Sequence, residues 1–147
     1  MGLDEAVWAM GILLLFLAVS CLVVYLTARG HEKSLARSRA GYDVECFVQE
    51  MVELGQDATA ARLAYLYIQE MHGIGFPILP GDDLFKVLGV NDEALQRAIT
   101  ALLHVCGRAP RRGYLMRPLT TTADLVVFVS NAPMAREQMW HLQTVEG

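Results

Sequence analysis

Ala6 to Thr27 reads AVWAMGILLLFLAVSCLVVYLT, 22 consecutive residues without a charged side chain. As a helix rising about 1.5 Å per residue this run spans about 33 Å, the thickness of a bilayer's hydrocarbon core. No water is available there to satisfy backbone N–H and C=O groups, so a spanning segment of this composition has to be helical. The run therefore predicts a membrane anchor, residues 1–27, with the rest of the chain working close to a membrane surface.

The flanks of the run set its expected fate and direction. A cleaved signal peptide has a basic leader, an apolar core of about 7 to 15 residues and a small-x-small cleavage site. Here Asp4 and Glu5 precede a longer core. Ala18-Val19-Ser20-Cys21 loosely resembles a lipoprotein box, but Leu is missing from its first position and no Lys or Arg precedes it. Retention of the anchor is expected. Arg29, Lys33, Arg37 and Arg39 follow the run and no base precedes it. By the positive-inside rule this asymmetry predicts a single-pass protein of the cell membrane, N-terminus outside and C-terminal domain cytoplasmic.

Charge is segregated along the chain. Residues 28–41 carry four bases against Glu32 and read as a basic juxtamembrane tether or helix extension between Gly30 and Gly41. Residues 42–147 carry 13 acids against eight bases. A basic collar of this kind is first a topology signal, and second a weak attractor for anionic headgroups. Cys21, Cys46 and Cys106 are scattered, one in the apolar run and two on apolar helix faces, with no disulfide framework or CxxC spacing. His31, His72, His104 and His141 are equally dispersed. Neither a metal nor another cofactor is expected.

Residues 42–147 are enough for one small domain with its own core. Over Asp43–Leu54, the apolar residues Val44, Phe47, Val48 and Met51 fall at helical spacing, and Gly55 ends the segment. Asp57 is positioned to cap a second helix with Ala60, Leu63, Ala64, Tyr67, Ile68 and Met71 on one face. After the Gly- and Pro-rich connector IGFPILP, a short helix is expected over Asp83–Leu88, ended by Gly89. Asn91 then caps Asp92–Cys106, whose stripe Leu95, Ala98, Ile99, Leu102, Leu103 and Cys106 is the cleanest in the chain. Beyond the basic turn RAPRR the composition turns β-branched. Tyr114–Leu119 and Asp124–Ser130 read as two strands joined across Thr120–Thr122, a β-hairpin. Pro133 would open a short terminal helix bearing Met134, Met139, Trp140 and Leu142.

This order, with DDLFKVLGVNDEALQRAITALLHVCG from Asp82 to Gly107 at its centre, resembles a winged helix-turn-helix over residues 57–130. The resemblance implies an α+β fold, helices then a hairpin, behind the single transmembrane helix. It also implies a contact surface made of the exposed face of the Asp92–Cys106 helix, with Asp92, Glu93, Gln96, Arg97 and Thr100, and a basic wing with Arg108, Arg111, Arg112 and Arg117. Gln96, Arg97 and Thr100 are able to read base edges. Against nucleic acid stand Asp92 and Glu93, where the helix start would meet phosphates, and the acidic balance of the domain.

Catalytic signatures are missing: neither spacing of glycine-rich phosphate loop occurs, nor HExxH, nor GxSxG. Paired acids at helix starts are explained by the helix dipole. The reading is thus a non-enzymatic, membrane-anchored protein-interaction module, an accessory or scaffold subunit of a membrane assembly. Its expected partners are the bilayer and the other protein subunits. Apolar residues outside the stripes, Phe76, Ile78, Trp140, Met134 and Met139, are further contact candidates wherever they are exposed. The rival reading is a membrane-tethered DNA-binding regulator or DNA-handling component.

Overall fold

A computed structural model describes residues 3–110 and 118–135. The chain divides into two compact units, Met1–Ala40 and Gly41–Gly147. The first is one helix, α1 (Leu3–Ser38). From Val7 to Leu26 its large apolar side chains are exposed, and it is long and apolar enough to cross a membrane. Thr27, the last residue of the apolar run, donates its hydroxyl back to the carbonyls of Val23 and Val24, both at 2.9 Å, and so stays satisfied within the helix. The helix does not stop at Gly30. It carries the basic segment on as regular helix to Ser38.

Among the described residues the second unit contains four helices: α2 (Val44–Glu53), α3 (Ala58–Met71), α4 (Asp92–Val105) and α5 (Thr122–Ser130). Each starts on a side-chain cap that satisfies orphan N–H groups of its first turn. Asp43 accepts from Cys46 N at 2.9 Å, Asp57 from Thr59 and Ala60 N at 2.7 and 3.0 Å, and Asn91 from Ala94 N at 2.8 Å. At the far end of α4, Gly107 has φ 63°, the left-handed region where a Cβ is strained. That turn lets Gly107 N reach His104 O and Arg108 N reach Leu103 O, closing the helix and aiming Arg108 back across the bundle.

The core is organised around α3, which packs against α2, α4 and α5. Its buried Ala60, Ala61 and Ala64 let neighbours approach closely, and Tyr65 stacks against Phe47 of α2 with ring centroids 5.2 Å apart. Leu95, Ala98, Ile99, Leu102 and Leu103 of α4 are all buried, as their periodicity predicts. Phe76 and Ile78, contact candidates in the sequence, are core residues of the connector.

The expected α+β, winged-helix-like domain is not what the chain forms. The described residues contain no β-strand, only two isolated bridges, Asp83 to Thr121 and Arg108 to Met134. The segment DLVVFVS, read as the second strand of a hairpin, is the body of α5. Two local causes combine. Thr121 and Asp124 form a reciprocal capping box, the hydroxyl accepting from Asp124 N and the carboxylate accepting from Thr121 N, which nucleates a helix at the position where a hairpin turn was expected. The run is also apolar on nearly all sides because nearly all sides are buried, and burial overrides the β preference of Val and Phe. Residues 84–88 form hydrogen-bonded turns instead of the expected short helix, with Val87 N and Leu88 N both donating to Asp83 O. The first expected strand, Tyr114–Leu119, lies outside the described residues up to position 117, and so does the terminal helix beyond Ala135.

Candidate functional site

Of the sequence's contact candidates, Gln96, Arg97 and Thr100 are exposed on one face of α4. Two of them are engaged within the helix: the Arg97 guanidinium lies 3.8 Å from Glu93, and the Thr100 hydroxyl donates to the Gln96 backbone carbonyl at 2.9 Å. An exposed i,i+4 pair of this kind contributes only a few tenths of a kcal/mol. Asp92 and Glu93 occupy the first turn of α4, where the helix dipole favours them. Arg111, Arg112, Arg117 and Trp140 lie outside the described residues.

Arg108 has a different place from the one the wing analogy implies. Its side chain is only 13% exposed, and its guanidinium joins three elements. Nη1 donates to the carbonyls of Ser130 and Ala132 at 2.5 and 2.8 Å, at the C-terminus of α5, and Nη2 contacts Asp57 Oδ2 at 3.2 Å. Asp57 is at the same time the cap of α3, and its backbone N–H donates to Ser130 Oγ at 3.3 Å. The C-terminal end of α5 therefore meets one cation, and the N-terminal cap of α3 supplies the counter-ion. Two backbone bonds tie down the same end, Ala109 N to Pro133 O and Ala135 N to Gly107 O.

Close in sequence to the clamp residues are exposed apolar side chains. Leu54 and Val105 are each 64% exposed and Met134 is 46% exposed. Leu54 precedes Asp57 by three residues, Val105 precedes Arg108 by three, and Met134 follows Ala132 by two. The polar groups of the clamp are thus partnered with one another, and each of these exposed apolar residues lies within three positions of a clamp residue in the sequence. Met134 alone of these was singled out by the sequence. Leu54 and Val105 each close an amphipathic helix, where the periodicity assigns no face.

The displaced titrations trace the scaffold. Hydrogen bonds from Ala60 and Thr59 N, together with Arg108, hold the Asp57 carboxyl below its usual value against partial burial. At Asp124 burial pushes the carboxyl up, and the donors of Thr121 and Thr120 outweigh it, leaving it lowered. Asp43 and Asp83 are lowered chiefly by the backbone N–H groups of Cys46 and Lys86, and Glu45 by its ion pair with Arg62. Burial, with Glu50 beside it, pushes the Tyr42 phenol up, and burial raises the Cys106 thiol. No group of three or more metal-capable side chains occurs among the described residues.

These caps give the globular unit a pH dependence of definite sign. A carboxyl whose pKa is lower folded than unfolded stabilises the fold above its unfolded value of about 3.9, and that stabilisation is lost as pH falls toward its folded value. The urea midpoint of residues 41–147 is expected to be level between about pH 5 and 8 and to fall below about pH 4, with a shallower acid limb in Asp124→Asn. A midpoint flat down to pH 3, measured by circular dichroism, would remove the caps from the account.

Comparison with protein-family models, with curated proteins and with solved structures yields no match.

Proposed function

We propose that this chain is a single-pass membrane protein, N-terminus outside, whose cytoplasmic helical domain docks onto other subunits of a membrane assembly without catalysing a reaction. The exposed apolar side chains of Leu54, Val105 and Met134 carry the reading. Large apolar side chains left exposed on a small domain suit a protein contact. The displaced titrations support the non-enzymatic part. They are spread along the described residues over helix and turn starts, one ion pair, the Tyr42 phenol and the Cys106 thiol, whereas catalytic sites gather perturbed groups in one cleft. The four-to-zero asymmetry of bases about the apolar run supports the orientation. The DNA-handling alternative loses its hairpin wing to α5, and Arg108 to the clamp.

The test compares the full chain with Leu54→Lys/Val105→Lys, both purified in mild detergent. The double variant should keep its stability within about 0.5 kcal/mol, as exposed positions do, and lose the subunits that co-purify with the parent. Protease added to sealed cells should spare the C-terminal domain. Recovery of the parent chain alone, retaining duplex DNA in a salt-sensitive way, would overturn the docking reading in favour of its rival.

A further inference from the structure

The geometry points to a headgroup-binding stripe on the helical continuation of α1: Tyr25, Arg29, Lys33 and Arg37 form one face that takes the phosphate of anionic phospholipids. The inference rests on the membrane reading above and adds to it a ligand and a set of residues. Because α1 is continuous to Ser38, Tyr25, Arg29, Lys33 and Arg37 follow one another at four-residue intervals. At 100° per residue the three bases fall within about 80° of one face. All three are exposed. Lys33 and Arg37 have no ion pair among the described residues. Glu32, the acid of this segment, lies about 100° from Lys33 and about 60° from Arg29 around the helix, at the edge of the basic face.

The membrane end of the stripe is already ordered. Arg29 Nη1 donates to Tyr25 Oη at 2.8 Å, and the guanidinium carbon lies 5.8 Å from the Tyr25 ring centroid. An aromatic ring with a polar tip is suited to the interface, and a guanidinium pinned on it has further N–H groups free to fork onto a phosphate. Trp8 stands 17 residues before Tyr25, about 26 Å along the axis, so the two rings bracket a stretch close to the hydrocarbon thickness. Measured from Thr27, Arg29, Lys33 and Arg37 lie about 3, 9 and 15 Å further on. The headgroup layer is roughly 5 to 8 Å deep. Arg29 and Lys33 therefore fall within reach of it, and a tilt toward this face with side chains snorkelling back brings Arg37 down as well. Bases spread around the helix would gain nothing from such a tilt.

The experiment uses the full chain in mild detergent, titrated with phosphatidylglycerol or phosphatidylcholine and read by native mass spectrometry. Each base near an anionic surface is worth about a fivefold factor, so the parent is expected to prefer phosphatidylglycerol by between about tenfold and 100-fold. R29Q/K33Q/R37Q should lose that preference. The decisive variant, K33S/S34K/R37S/S38R, has the same composition and net charge with its bases on opposing faces, and should fall at least halfway to the neutral variant. Retention equal to the parent would overturn the stripe, as would equal binding of the two lipids or displacement of the lipid by millimolar inorganic phosphate. Alkaline carbonate extraction of the parent from membranes separates the two levels. Release would sink the membrane reading and the inference together, whereas an integral chain indifferent to lipid charge would sink the inference alone.

Discussion

Truncating Leu125 to Ala in the isolated globular unit should cost about 2 to 5 kcal/mol, while Val127→Ala, two residues away, should stay within about 0.5 kcal/mol of the parent. The contrast is a direct measure of what α5 is. In a strand, Leu125, Val127 and Val129 would share one face and respond alike. In the helix, Leu125, Val126 and Val129 are fully buried while Val127 is 36% exposed, so the middle residue of that alternating set drops out. Val127→Ala also replaces a β-branched residue with the best helix former, which offsets the small loss of contact. Urea unfolding followed by circular dichroism decides it: equal costs at 125 and 127 would return the segment to a strand. Leu102→Ala in α4, also buried, should cost a similar 2 to 5 kcal/mol by the same argument.

Arg108→Ala should be destabilising by about 2 to 4 kcal/mol despite removing a charge that sequence alone places on a solvent-facing turn. The loss has two sources. The carbonyls of Ser130 and Ala132 lose the donor that closes α5, and Asp57 is left beside that end with no cation to balance it. Arg108→Lys keeps the charge but cannot span both carbonyls and the carboxylate with one planar fork, so it should recover only part of the difference. A double-mutant cycle with Asp57→Asn separates the ion pair from the carbonyl contacts. Coupling near zero together with a full Arg108→Ala penalty would place the effect in the carbonyls alone. An Arg108→Ala variant as stable as the parent would show that the clamp does not hold the bundle.

The contrast between α4 and α5 explains how much of this molecule can be read from its residues. Asp57 and Asn91 are recognisable caps because they precede runs with helical spacing, and α4 is amphipathic because one of its faces meets water, so its stripe is visible. The central position of α5 removes that signal: buried on most sides, it has no polar face to give it a period, and a short apolar run of Val and Phe then reads as a strand. Its true mark was the capping box at Thr121 and Asp124, a pair that local spacing does reveal. That α1 is long and apolar enough to cross a membrane is legible because it depends on length and composition alone. The pairing of Tyr25 with Arg29 was also within reach, since i,i+4 neighbours meet on any helix. The clamp was not. Arg108 finds Asp57 across 51 residues and Ser130 across 22, and no local pattern encodes a contact at either distance.

The placement of α5 also sets an order of events during synthesis. α3 is made early, yet α5 and the carbonyl of Ala132 that complete its surroundings are translated roughly 60 to 75 residues later, an interval of about 3 to 15 s at ordinary elongation rates of about 5 to 20 residues per second. Throughout that interval the apolar face that α5 will cover, on a helix rich in alanine, is open to whatever lies nearby. Arg108 likewise emerges with its carbonyl acceptors at Ser130 and Ala132 still unmade. The ribosome thus delivers first the half of the bundle most prone to wrong association and last the helix that seals it.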